Sequence, residues 1–368
     1  MKRNDAVIVV LPGDRLGGAE QFLKNMAVRF SRDDYSVHAV FLTRRRFHDW
    51  DEVGDDINLH FSSAGSEKWG LSHLIRKLHE ISRGYRVRYT FSSNTHINSF
   101  LGLMRSARIL KTEKLVVRES TTILTRFKGF KRFLFVMHYR MGYRFTDLVI
   151  CQTGRMRDEL WKHMPISRNW NVRVIRNPVD LKHINRLARE PLPEAVNEAG
   201  EFVVGAGRLI RIKGFDILIR SFSMIAPDRP GLNLVILGEG KQKANLIREA
   251  ERLGVGDRVI LPGHVDNPVI WFRHARLCVV SSLVEGFPNV LLQMMSQCDR
   301  VVSTTCAGGI EDMEGVAACS PGDAEALAGR MEERLGVEDT SGIRKLFDNF
   351  LDRNTVDKFV EKIVRECG

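Results

Sequence analysis

A chain of 368 residues, 43% hydrophobic and 27% charged, exceeds one ordinary core and reads as a soluble protein of two domains. Its net charge of +11 is unevenly held: residues 1–180 carry 32 Lys and Arg against 18 Asp and Glu, whereas 181–368 carry 24 against 27. That asymmetry calls for an anionic partner of the first half: a membrane surface, a pyrophosphate-bearing acceptor or nucleic acid.

In chain order, the first apolar run covers 6–11, too short before Pro12-Gly13 for the core of a secretory signal. No stretch nears the ~18 apolar residues of a membrane-spanning helix, so the protein is expected inside the cell and outside the bilayer. Further apolar runs at 37–42, 87–91, 115–117, 147–151 and 172–177 are separated by helix-length segments. This alternation predicts parallel strands with crossover helices. Pro178 breaks the series, and the polar stretch 189–198, with Pro191 and Pro193, reads as a linker. The pattern restarts at 202–207, 233–238, 258–263, 276–282 and 300–304. The expected fold class is therefore α/β, with two Rossmann-like domains and ligands at the carboxyl ends of their strands. The predicted domains are 1–180 and 181–345, followed by a helical segment 346–368 that either caps the second domain or crosses back to the first. Six scattered cysteines (151, 278, 298, 306, 319 and 367) show no CxxC spacing and read as reduced, mostly buried thiols.

Three segments carry candidate chemistry. In 11–20, the first strand meets a glycine turn. Gly17 and Gly18 there let a backbone approach a phosphate at the amides of a helix starting near Ala19. It is not the GxGxxG dinucleotide fingerprint, and a purely structural turn reads equally well. In 207–219, Arg208 follows a strand and Lys213 precedes a helix. A guanidinium fork and an ammonium point charge converging there suit a diphosphate; the plain alternative is a solvated basic loop. In 285–293, Pro288 suits a first helical turn, so Asn289, Val290 and Leu291 offer amides to an anion. Glu285 precedes that turn and Gln293 lies on the helix. A Glu at a helix entrance also serves the macrodipole, which is the bland reading.

Taken in order, these segments resemble the family-4 retaining glycosyltransferases of the GT-B fold, whose two Rossmann-like domains face a central cleft. The resemblance runs through Gly17-Gly18-Ala19-Glu20, the hinge residues 176–180, Gly207-Arg208-Leu209, Lys213-Gly214, residues 237–240 and 262–265, and Glu285 to Leu292. It implies that Arg208 and Lys213 hold the donor pyrophosphate and balance the charge of the leaving group. Glu285 matches the first carboxylate of a Glu-x7-Glu motif, near the hydroxyls of the transferred sugar. The amides of Phe287 to Leu291 (Phe287, Pro288, Asn289, Val290, Leu291) would surround sugar and phosphate. Gly18 matches a glycine close to the diphosphate, and Val265 a backbone position that reads the nucleobase. Where the family carries its second glutamate, a ribose ligand, this chain has Gln293, which accepts a hydrogen bond without charge. His96 resembles a histidine that contacts a distal sugar hydroxyl. Glu119, at a strand end, reads either as an acceptor-binding carboxylate or as a partner of Arg118 or another cation.

Residues 126–145 hold six Lys and Arg, no acid and seven aromatics, with apolar positions 130, 133, 134, 137 and 141 at helical spacing. Such a helix suits an anionic membrane surface; a buried crossover helix and stacking on nucleic acid are the alternatives. The resemblance implies transfer of a sugar, with retention, from a nucleotide-sugar, UDP-linked, to a glycan or lipid-linked saccharide acceptor at the cytoplasmic membrane face, in surface-polysaccharide assembly. Arg208 and Lys213 fill the role often given to a metal and no Asp-x-Asp ends a strand, so no metal is expected; nor is a cofactor apart from the donor substrate, or nucleic acid as a partner. A nucleotide-sugar sensor without catalysis and a nucleic-acid-binding protein are the competing functions.

Overall fold

The computed structural model describes residues 4–44, 49–121 and 123–368, and the chain divides into two units: 1–178 with 356–368, and 179–355. Residues 1–3 of the N-terminal segment considered above lie outside the described residues. Unit 1 holds strands β1 (Asp5–Leu11), β2 (Ser36–Phe41), β3 (Ile57–Phe61), β4 (Arg86–Ser92), β5 (Thr112–Arg118), β6 (Leu148–Cys151) and β7 (Val172–Val174). Helices α1 (Gly18–Ser31), α2 (Glu67–Gly84), α3 (Thr95–Ser106), α4 (Ile123–Arg126), α5 (Gly129–Gly142) and α6 (Gly154–His163) connect them. Unit 2 begins with α7 (Leu181–Leu187) and α8 (Glu194–Glu198), so residues 189–198 lie inside a domain and contain a helix. Its strands are β8 (Glu201–Ala206), β9 (Leu232–Leu237), β10 (Val259–Gly263), β11 (Leu277–Val280), β12 (Val301–Thr304) and β13 (Ala317–Cys319). Between and after them run α9 (Phe215–Ile225), α10 (Lys243–Arg252), α11 (Pro268–His274), α12 (Asn289–Gln297), α13 (Ala324–Leu335) and α14 (Ser341–Asp352). Finally α15 (Val356–Cys367) belongs to unit 1, while 346–355 stay with unit 2.

Both sheets are parallel throughout, ordered β3-β2-β1-β4-β5-β6-β7 and β10-β9-β8-β11-β12-β13. Val, Ile and Leu dominate the central strands because helices cover both faces, and β1 from Ala6 to Leu11 is wholly buried. In unit 1 the helices α1 and α15 cover one face; α2, α3, α5 and α6 cover the other. Sequence alternation missed β3 and β13, the former because Asn58 and His60 interrupt its apolar residues, the latter because it is three residues long.

Two glycines set how α5 seats. A Cβ on Gly102 would lie 2.1 Å from the carbonyl oxygen of Gly142, and one on Gly142 equally close to that of Ser99, so α3 and α5 touch backbone to backbone. Only Tyr139 and Gly142 of α5 are buried. At the far face, α15 is held by Arg29 bonded to Asp357, by Arg173 Nε to Glu366 Oε2 at 2.6 Å, and by Phe359 edge-on to Phe22 at 5.4 Å.

At the outer strands of unit 1, His38 Nδ1 and His60 Nε2 share one hydrogen bond of 3.0 Å, and Ser36 Oγ meets His38 Nε2 at 3.2 Å. Burial, with Lys77 and His60 nearby, lowers the His38 pKa to about 4. The unfolded chain therefore binds this proton more tightly, and stability falls as pH drops from about 6.5 toward 4. Urea unfolding followed across that window is expected to lose stability at up to about 1.4 kcal/mol per pH unit from this group. His38→Gln should flatten the slope.

Candidate active site

In each sheet the strand order reverses once, between β1 and β4 and between β8 and β11. The carboxyl ends of strands flanking such a reversal form a crevice where α/β sheets bind ligands. The candidate residues follow those four strands: Gly17 and Gly18 after β1, His96 after β4, Arg208 and Lys213 after β8, and 285–293 after β11.

In unit 2 the loops after β8 and β11 are pinned together. Leu283 N donates to the Ile212 carbonyl at 2.8 Å, and Ser281 Oγ to that of Lys213 at 2.9 Å. Gly214 sits at φ +62°, and a Cβ there would stand 2.2 Å from the Ser281 carbonyl oxygen. Only glycine meets both demands. The pinned loops bring Lys213 Nζ to 2.8 Å from Glu285 Oε1, and Ser282 Oγ donates to the same oxygen at 2.5 Å. Both side chains are mostly buried. Lys213 also lies against residue 207, where a Cβ would meet its Cε at 3.3 Å. Arg208, next along, is exposed and has no ion pair among the described residues. The structure thus gathers Lys213, Glu285 and Ser282 and leaves the Arg208 guanidinium at the surface. Ser281 and Ser282 escaped the sequence reading, although they extend the β11 run directly.

Helix α12 starts at Asn289, with Pro288 just outside as its N-cap, one position earlier than a first-turn proline. Three amides were expected to be open; Leu291 N instead donates to the Pro288 carbonyl at 2.9 Å. The tightened first turn satisfies that group internally. Phe287 is buried and Gln293 is half-buried on α12. Val265 packs against the core beside β10, and its neighbours His264 and Asp266 are exposed.

In unit 1, Gly17 caps α1. The Glu20 carboxylate folds back to accept from Gly17 N at 3.1 Å, and Asp49 Oδ2 accepts from Leu16 N at 2.8 Å. The turn expected to receive a phosphate is thus occupied by the chain's own carboxylates. His96 stands on the first turn of α3, with Nε2 2.7 Å from Glu67 Oε2. Glu119 is neither exposed to an acceptor nor paired with Arg118. Tyr139 donates to its Oε2 at 2.5 Å and Tyr143 to its Oε1, and burial raises its pKa. Neighbours along an extended chain point to opposite sides of a sheet, which separates Arg118 from Glu119. Sequence reasoning missed both tyrosines because they lie 20 and 24 residues away, Tyr139 on α5 and Tyr143 just beyond its end.

Residues 16–183 match the model Glycosyltransferase Family 4, and residues 201–336 match Glycosyl transferases group 1. The chain belongs to the family-4 glycosyltransferases, and its two Rossmann-like units are those of the GT-B fold. It is 28% identical over 204 residues to an N-acetylgalactosaminyltransferase of Campylobacter jejuni whose named acceptor is a diphospho-undecaprenol-linked saccharide, covering 55% of this chain and 54% of that one. It is 27% identical over 309 residues to a lipopolysaccharide core biosynthesis glycosyltransferase of Rhizobium meliloti, covering 75% and 87%. Two of the curated relatives it matches are spanned over only 59% and 54% of their length. Anabaena HepE, solved with UDP and glucose, superposes with a TM-score of 0.77 at 18% identity over 98% of both chains, a likeness of fold.

The pinning of the two loops makes a direct demand on Gly214. Gly214→Ala is expected to cost more than about 1 kcal/mol in denaturant unfolding, since φ is positive and the Cβ collides with backbone. Gly231→Ala, where a Cβ meets nothing within 4 Å, should leave the midpoint unchanged.

Proposed function

We propose that this protein transfers a sugar from a UDP-sugar, with retention of anomeric configuration, to a lipid-linked saccharide at the inner face of the cytoplasmic membrane, in surface-polysaccharide assembly. The observation that carries the reading is the Lys213–Glu285–Ser282 group beside the head of α12, with Arg208 next to it. As the glycosidic bond loosens, negative charge gathers on the departing diphosphate. Lys213 and the Arg208 fork answer that charge in place of a divalent ion. Both bonds to Glu285 fall on Oε1, so Oε2 accepts from a hydroxyl of the transferred sugar. Gln293 takes the ribose position through an amide oxygen, and Val265 the base. His96, oriented by Glu67, serves the far side of the sugar. The names of the relatives support the pathway, and HepE, solved with UDP, supports the donor.

The test is UDP release from a panel of nucleotide-sugars, with and without lipid-linked acceptor. Arg208→Ala and Lys213→Ala should each lower turnover by about two orders of magnitude with the fold intact. Chelator should leave activity unchanged. Near-normal turnover in both variants, or a strict divalent-ion requirement, overturns the assignment.

The membrane part rests on α5. Phe130 is 73% exposed, and Phe133, Leu134, Met137 and Met141 are exposed along the same stripe. Lys128, Lys131 and Arg140 are exposed around it, whereas the side chain of Arg126 lies outside the described residues. Trp69 of α2, 79% exposed, belongs to the same helix layer. An aromatic and basic face of this kind enters the headgroup region of anionic lipid. No helix among the described residues is long and apolar enough to cross a membrane. Each basic residue near the surface adds about 1 kcal/mol, so changing Lys128, Lys131 and Arg132 together to Glu should abolish binding to vesicles containing anionic lipid. Parent-like vesicle binding by that variant would remove the membrane from the proposal.

A further inference from the structure

Two buried thiols of unit 2 face one another. Cys278 lies on β11 and Cys298 caps the end of α12, and both belong to one apolar cluster with Trp271 and Phe272 of α11. Carbonyls at the end of α11 receive them side by side: that of Phe272 lies 3.8 Å from Cys278 Sγ, and that of Ala275 3.7 Å from Cys298 Sγ. A third carbonyl ties them, since Arg300 accepts from the Cys278 amide at 3.0 Å and from Cys298 Sγ at 3.2 Å. The two thiols are close enough to share a hydrogen bond. That bond stabilises the Cys298 thiolate and lowers its pKa, whereas burial raises that of Cys278. Burial also raises the pKa of the four other cysteines, so Cys298 alone is shifted toward the nucleophilic form. Nor is Cys298 fully sealed: it is 7% exposed, against 0% for Cys278.

The pair brackets the donor-side segment: between 278 and 298 the chain carries Ser281, Ser282, Glu285 and Gln293. We propose that Cys278 and Cys298 form a redox-modification site, oxidised to a disulfide by hydrogen peroxide, and that the disulfide weakens binding of the nucleotide-sugar. The effect on the donor rests on the nucleotide-sugar reading above; the thiol chemistry does not. The Cys298 thiolate attacks one peroxide oxygen, the O–O bond breaks, and the departing hydroxide takes up a proton to become water. The Cys278 sulfur then attacks the resulting sulfenic acid: an S–S bond forms, the S–O bond breaks, and the second hydroxide leaves as water with the thiol's proton. Two thiols and one peroxide thus become one disulfide and two waters, with two electrons passing from sulfur to oxygen. To bond, the sulfurs must move inside contact distance, and a close-packed core passes that movement to the elements that carry them. β11 runs directly into the serines beside Lys213, and α12 leads back toward Glu285. Both sides of the candidate site are therefore displaced by the link at its base.

Both cysteines fall on one tryptic peptide, 277–300, because no Lys or Arg stands between Leu277 and Asp299. The folded parent is treated with hydrogen peroxide, unfolded in iodoacetamide, digested and analysed by mass spectrometry. The expected product is this peptide without alkyl groups and lighter by two hydrogens than its reduced form, a change that dithiothreitol reverses. Two alkyl groups on the peptide at every peroxide dose, or a sulfinic acid at Cys298 in place of the link, overturns the proposal. Titration calorimetry with UDP reads the consequence. The oxidised parent should bind about fivefold more weakly, or worse, and recover with dithiothreitol. Cys298→Ser, treated alike, should keep the constant of the reduced parent; Cys298→Ala stands in for it if the serine is not tolerated. A disulfide that forms while the UDP constant stays at its reduced value overturns the control of the site. So does an equal loss in the Cys298 variant, which assigns the effect to peroxide acting elsewhere. If the reduced parent binds no UDP, the donor reading fails, and the mass of the peptide still decides the thiol pair.

Discussion

The candidate donor site depends on the close passage of two loops, 212–214 and 281–283, past one another. Parallel strands deliver their ends side by side, but the strand spacing of about 4.8 Å only brings loops near; it does not join them. Here they are joined by a backbone bond, a serine hydroxyl and a glycine whose missing Cβ lets the carbonyl of Ser281 in. Once the backbones are fixed, Lys213 and Glu285 have little freedom left, and their ion pair is short and mostly dry. A mostly buried pair with a serine on the shared oxygen avoids the penalty of an isolated charge while keeping both groups available to a ligand.

Unit 1 handles charge differently. Most of its Lys and Arg lie on helices and loops, whereas Arg118 at a sheet end is met by neutral side chains: Ser93 and Asn177 accept from it, and Asn177 joins it to Gln152. Its carboxylates at that edge are engaged, Glu20 and Asp49 by backbone amides and Glu119 by two tyrosines. The seating of α5 follows from the same region. Glycine-to-backbone contact with α3 and the buried hydroxyls of Tyr139 and Tyr143 fix one side of the helix, so its apolar stripe is left facing away from the core.

Much of this is legible in the amino-acid sequence. The long Val- and Ile-rich runs gave most strands, because a buried parallel strand needs no alternation to be recognised. The stripe at 130, 133, 134, 137 and 141 was visible as spacing, but spacing cannot say whether such a stripe faces a core or solvent; the glycines of α3 and α5 decide that. What failed was whatever depends on a partner distant in sequence. The Glu119 environment is set by Tyr139 of α5 and Tyr143 just beyond it, and the Leu291 amide is satisfied by a turn tighter than an ideal helix. Glu20 was read only as part of a motif, while its carboxylate turned out to cap the very amide the glycines were expected to offer. Between the two series the sequence shows a proline and a polar stretch, and the second half of that stretch is a helix of unit 2.

One feature of the chain path concerns how the protein is made. Unit 1 is discontinuous: 177 residues of unit 2, 179–355, separate its first part from α15. On the ribosome the sheet of unit 1 is synthesised first, yet the helix that covers α1 beside Phe22 and ties Lys114 and Arg173 comes after the whole of unit 2. The apolar residues that α15 covers must wait, so unit 2, continuous in sequence, can finish folding while unit 1 remains uncapped. During that interval the open face beside Phe22 is a place for chaperones to hold. The same path makes unit 2 the natural piece to express alone, since its two ends, Val179 and Thr355, meet in a parallel bridge.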